Sequence, residues 1–126
     1  MNLKDYFICP SLEVKNSLRG LGVFAKTDLS SEEIVEHSPF SSCWASKWED
    51  TPENLKKMVF SYPQNSNNYV VGLGYTAIYN HSDDNNATWH TSEKGLYIKT
   101  KREVKSGEEI FIHYGEAYWS GGWPKF

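Results

Sequence analysis

Between an apolar segment, Thr76-Ala77-Ile78-Tyr79, and a β-patterned run that starts at Ala87, the chain passes through seven consecutive polar residues, Asn80-His81-Ser82-Asp83-Asp84-Asn85-Asn86. Asn and His so close to an apolar segment cannot enter a core without hydrogen-bond partners, so this knot is either a turn or a ligand site. A second run, Gly107-Glu108-Glu109-Ile110-Phe111-Ile112-His113-Tyr114-Gly115, alternates like a strand and ends on a Tyr-Gly corner from which a phenol can project. A strand end and a polar knot of this kind can share one pocket.

The remaining pattern is dominated by short strands. Leu12-Glu13-Val14-Lys15 alternates, Asn16 to Gly20 supplies turn residues, and Val23-Phe24-Ala25 returns, which predicts a hairpin with a glycine-rich bend. Lys26 to Glu33 reads as a polar turn before a strand at Ile34-Val35-Glu36-His37, and Phe40 to Trp48 is irregular. At Thr51-Pro52-Glu53-Asn54, Thr stands at an N-cap, Pro at the first helical position and an acid in the first turn, predicting a short helix to about Phe60. Tyr69-Val70-Val71 predicts a short strand and Gly72-Leu73-Gly74 a bend. Ala87 to Thr91 against Leu96 to Thr100, around Ser92 to Gly95, predicts a second hairpin. The fold class is mainly β, in one domain over residues 1–126, with an N-terminal arm over 1–10. The tail over 116–126, with Tyr118, Trp119, Trp123 and Phe126, is too aromatic for a linker and is expected to fold back on the body.

Composition narrows the function classes. A chain of 126 residues with 39% apolar and 23% charged residues fits one soluble globular core and excludes both a disordered chain and a membrane protein. No apolar run reaches signal-peptide or membrane-span length, so the expected location is intracellular, in the cytoplasm or a host nucleus. Cys9 and Cys43 cannot build a disulfide framework, and no C-x-x-C is present to hold zinc. Sixteen acidic against thirteen basic residues leave a net charge of −3, which disfavours nucleic acid as a direct ligand and suits a basic peptide. The 15% aromatic content is read first as core filling. Gly20-Leu21-Gly22-Val23-Phe24-Ala25 also fits the dinucleotide pattern G-x-G-x-x-A, but a polar turn and a strand follow where that motif needs a helix.

Arg19-Gly20-Leu21-Gly22-Val23-Phe24-Ala25, the N-H-S-x-x-x-N-A run from Asn80 to Ala87 and the G-E-E-I-x-x-x-Y-G run from Gly107 to Gly115 resemble, in that order, the three motifs of SET-domain protein lysine methyltransferases. Three ordered motifs are far more specific than any one. The ending Tyr114-Gly115-Glu116-Ala117-Tyr118-Trp119 is similar to the small viral SET histone methyltransferases. Asn85 stands where the family usually has Pro.

This resemblance implies a SET fold of small curled sheets with a threaded C-terminal segment and one short inserted helix that helps to build the substrate groove. It implies an S-adenosylmethionine cofactor bound by Gly20, Leu21, Gly22, Asn80 and the backbone of His81, with Trp119 stacked on the adenine. Tyr114 is implied as the catalytic residue, and Tyr79, Trp89, Ile112 and Tyr118 as the walls of a lysine channel. Ile112 occupies a place where many relatives carry Phe or Tyr, so the number of methyls added is left open. The substrate is then a lysine in a protein or peptide, histone tails included. No direct nucleic-acid or membrane partner is implied, a homodimer is permitted, and no metal is expected. Any metal role for His81 with Asp83 or Asp84 would draw its other ligands only from oxygens of one loop. Competing readings are a non-catalytic SET-like peptide-binding module and an aromatic-rich β module for carbohydrate.

Overall fold

Leu12, Val23 and Ala25 bury one face of the first hairpin, and Leu96, Ile98 and Thr100 one face of the second, so both hairpins form around their alternating apolar positions. The coordinates are a computed structural model, describing residues 6–41, 59–64 and 68–114. Strand β1 is Phe7–Ile8, β2 Leu12–Ser17, β3 Gly20–Ala25, β4 Ile34–Ser38, β5 Phe40–Ser41, β6 Val59–Ser61, β7 Tyr69–Gly72, β8 Asn80–His81, β9 Ala87–Ser92, β10 Gly95–Thr100 and β11 Phe111–Ile112. They make four small sheets: β1-β4-β10-β9, β5-β7-β6, β2-β3 and β11-β8.

The first hairpin turns earlier than the glycines suggest. Its register runs from Leu12↔Ala25 to Ser17↔Gly20, so the loop is Leu18-Arg19, and Gly20 and Gly22 belong to the returning strand. The Ser17 hydroxyl closes this loop, donating to the Gly20 carbonyl at 2.8 Å and accepting from the Arg19 N–H at 3.1 Å. Ser17 is thus held in the ladder and not in the turn.

The expected helix from Thr51 lies outside the described residues as far as position 58. Val59 and Phe60, expected as its last turn, are strand. With Ser61 they pair with Tyr69–Val71 and are buried, as β-branched and aromatic residues favour. Phe40 and Ser41, expected to be irregular, add to the other edge of β7. The C-terminal tail from 115 onward, and with it the threading, lies outside the described residues.

Residues 107–112 are shared between two partners. Gly107 and Ala25 bond at 2.8 Å, Ala25 and Glu108 at 3.0 Å, and the Ile110 N–H donates to the Val23 carbonyl at 2.7 Å. Phe111 and Ile112 then pair in parallel with Asn80 and His81. The alternating run is therefore strand for only two residues. Its apolar members Ile110 and Ile112 still bury, beside Val23, Val35, Tyr79 and Ile98.

Candidate active site

The polar knot does find partners, and they come from the other two motifs. The side-chain nitrogen of Asn80 donates toward the Leu21 carbonyl at 3.0 Å, Glu109 Oε2 at 2.8 Å and Ser17 Oγ at 3.3 Å. One amide thereby ties the first hairpin, β8 and the segment before β11 together. Gly22 faces the same junction: a Cβ there would stand 2.5 Å from Glu109 Oε2 and 3.1 Å from Asn80 Nδ2, so a larger residue would have to push these side chains aside. Gly20 differs: its φ is +91°, and among the described residues no atom lies within 4 Å of the place a Cβ would take. Among those residues the backbone at Gly20 is open, whereas that at Gly22 is packed. Asn80→Ala is expected to weaken folding by roughly 1–3 kcal/mol, the usual cost of stranding buried polar partners. Melting curves read that loss, and an unchanged melting point would contradict the junction role.

Farther along the knot, Asn86 acts as a piece of strand. Its amide donates to the Glu109 carbonyl at 2.9 Å and accepts from the Phe111 N–H at 2.8 Å, setting the height of β11. Asn85, in the usual place of Pro, is buried and fixes the turn by hydrogen bonds instead. It donates to the Ala87 carbonyl at 2.8 Å and accepts from Lys101 Nζ at 3.1 Å.

His81, 1% exposed, meets Tyr114 through its ring. Its Nδ1 accepts the Tyr114 backbone N–H at 2.9 Å, and its Nε2 lies 3.0 Å from Asp83 Oδ1. His113 approaches the same carboxylate oxygen at 3.4 Å and sets its ring edge-on to that of His81. Sequence reasoning confined possible ligands to one loop and so missed His113, which arrives from the end of β11. His81, Asp83 and His113 bring ligand atoms within 4.8 Å of one another, the layout of a candidate cation site. The tautomer argues otherwise. A ring that accepts at Nδ1 carries its proton on Nε2. A cation at Nε2 would have to expel that proton, and a proton moved to Nδ1 would face the Tyr114 N–H. His81 is thus joined through one ring nitrogen to Asp83 and through the other to the Tyr114 backbone.

The Tyr114 hydroxyl donates to the Tyr79 carbonyl at 2.8 Å. Tyr79 itself is fully buried, its hydroxyl donating to Glu36 Oε1 at 2.8 Å. Burial first, and the neighbouring Glu36 charge second, push the Tyr79 phenol well above its ordinary range, so it stays a neutral donor. It is the carbonyl of Tyr79 that meets Tyr114, and the ring belongs to the core. Ile112 is buried in that core too, and Trp89 packs against its edge, its indole N–H on the His113 carbonyl at 2.9 Å. Tyr118 and Trp119 lie outside the described residues.

Residues 20–115 match the SET domain family. The chain belongs to the SET-domain family. Its mainly β architecture of small sheets agrees with solved SET structures. A histone methyltransferase candidate of Plasmodium falciparum superposes with a TM-score of 0.67 at 28% identity, over 89% of this chain and 99% of that one. The methyltransferase domain of human PR domain-containing protein 2 superposes with a TM-score of 0.59 at 17% identity, over 92% and 82%, a likeness of fold alone. Among curated proteins, a Schizosaccharomyces pombe histone-lysine N-methyltransferase specific for H3 lysine-37 is 28% identical over 111 residues, covering 86% of this chain and 76% of that protein. The three SET motifs are the three segments that Asn80 joins. No helix among the described residues is long and apolar enough to cross a membrane.

Proposed function

We propose that this SET domain is an S-adenosylmethionine-dependent protein-lysine N-methyltransferase in which Tyr114 is the catalytic residue. The observation that carries the reading is the Tyr114 hydroxyl, fixed on the Tyr79 carbonyl at 2.8 Å with its backbone held by His81. A positioned phenol beside three joined motifs is what amine alignment requires.

The residues present fit the cofactor. Gly20 offers open backbone in a left-handed conformation, and Leu21 beside it is 51% exposed. Arg19, whose guanidinium donates to the His81 carbonyl, brings a cation to the same corner for the carboxylate of the methionine end. Gly20, Leu21, Asn80 and the His81 backbone would hold the cofactor, with Trp119 over the adenine. When bound, it supplies an electrophilic methyl on a sulfonium.

The chain's own residues then have two tasks. Trp89, half-buried at the edge of the core, would give the substrate amine apolar surroundings, which lower its pKa from about 10.4 and favour the neutral nucleophile. The Tyr114 oxygen, which accepts as well as donates, orients that amine along the line of transfer. A strong general base is unnecessary, because the proton leaves before attack. Histone tails are the first substrates to test, given the relative's H3 specificity and the net charge of −3 here.

Purified protein is expected to transfer labelled methyl from S-adenosylmethionine to lysines of core histones or of a basic peptide pool, with the site mapped by mass spectrometry. Cofactor binding without methyl transfer would favour the peptide-binding module. Calorimetry should give the same S-adenosylmethionine affinity with and without chelator. Lost binding on chelation would overturn the metal-free reading of the His81 cluster.

A further inference from the structure

We propose that Asp83 is a positioning residue for Tyr114, acting through the tautomer of His81. The catalytic consequence rests on the methyl-transfer reading, whereas the geometry does not. Asp83 Oδ1 lies 3.0 Å from His81 Nε2, His81 Nδ1 accepts the Tyr114 N–H at 2.9 Å, and the Tyr114 hydroxyl reaches the Tyr79 carbonyl at 2.8 Å. Each end of the tyrosine is thus tied down, the backbone end through an exposed carboxylate.

The argument turns on which nitrogen holds the proton. A neutral imidazole can carry it on either nitrogen, and only the Nε2–H form keeps a lone pair at Nδ1 for the Tyr114 amide. The other tautomer, like the imidazolium, sets two N–H donors face to face. An acceptor at Nε2 selects the useful form, and Asp83 is placed to be that acceptor. The loop that carries it is itself fixed, by the Ser82 N–H on the Ile112 carbonyl at 3.1 Å and the Asp84 N–H on Ser82 Oγ at 3.1 Å.

Asp83→Asn keeps an oxygen for Nε2 and removes the charge, so it should keep the Nε2–H tautomer that leaves Nδ1 to accept the Tyr114 N–H.

Imidazole nitrogen–proton correlation NMR reads the tautomer directly, and kcat is measured on core histones. The wild type should show His81 as the pure Nε2–H form. Asp83→Ala should show mixed tautomers and a kcat lowered by roughly tenfold with little change in KM, and Asp83→Asn should recover most of both. A pure Nε2–H ring in Asp83→Ala overturns the proposal, as does a mixed ring with undiminished kcat. An unfolded Asp83→Ala, seen in its amide spectrum, leaves the decision to Asp83→Asn, whose mixed ring would overturn it. A wild type that transfers no methyl overturns the methyl-transfer reading and with it the catalytic role, while the tautomer result still decides the link between Asp83 and His81.

Discussion

Tyr114→Phe is expected to lower turnover by roughly 10²-fold or more while leaving the fold and the S-adenosylmethionine affinity nearly intact. The backbone of residue 114 is held by His81 Nδ1 at 2.9 Å whatever the side chain, and the ring packs at the edge of the core, 5.2 Å from the His81 ring. A phenylalanine keeps both contacts. What it loses is the hydroxyl bond to the Tyr79 carbonyl, worth about 1 kcal/mol of stability. The same hydroxyl is the group proposed to orient the amine. Alignment matters most at the moment of transfer, so kcat should fall much more than KM for the peptide rises. If folded Tyr114→Phe protein methylates its substrate within a few-fold of wild type, the tyrosine is a packing residue and the site assignment fails.

Local pattern carried the second hairpin and the polar knot into the sequence reading, because each is specified by residues within a short span. Ala87–Ser92 against Gly95–Thr100 differs from the expected hairpin by one residue at each inner end. The order of the motifs carried the family. What local pattern could not carry was pairing between distant segments. Val59–Ser61 became strand only because β7 lies beside it, and the run from Gly107 yielded two strand residues because β3 and β8 divide it between them. Site contacts show the same division. Asn80 was singled out, but its bonds to Leu21 and Glu109 required the fold, as did the meeting of Asp83 with His113.

Glu36 is the clearest case, since alternation in Ile34-Val35-Glu36-His37 gives no sign that this carboxyl is buried. It is fully enclosed. It accepts from the Tyr79 hydroxyl at 2.8 Å and the Ser38 hydroxyl at 2.5 Å, and from backbone N–H groups of Tyr75 and Thr76 in the 3-10 turn Gly74–Ala77. Gly74, at φ +75°, leaves room for it, because a Cβ there would stand 2.6 Å from Glu36 Oε2. Glu36→Ala strands all these donors and is expected to cost roughly 3 kcal/mol or more. Since Tyr79 presents the carbonyl that fixes the Tyr114 hydroxyl, the same variant should also lose turnover.

Glu36→Gln isolates the charge. Desolvation raises the Glu36 pKa above 4.5 even against the lowering effect of four hydrogen bonds. The folded protein therefore keeps a proton that the unfolded chain has already released. That contribution to stability is full below pH 4.5 and is lost as pH rises through the folded-state value. Glutamine does not titrate, so wild type should exceed Glu36→Gln by most at acid pH, the margin narrowing toward neutrality. Denaturant unfolding of both proteins at several pH values measures that margin. A constant margin from pH 4.5 to neutrality would mean that the carboxyl ionises as freely in the fold as in the open chain. In that case the hydrogen bonds from Tyr79, Ser38 and the 3-10 turn fully offset its burial, and Glu36 anchors the Tyr79 carbonyl as a carboxylate and not as an acid.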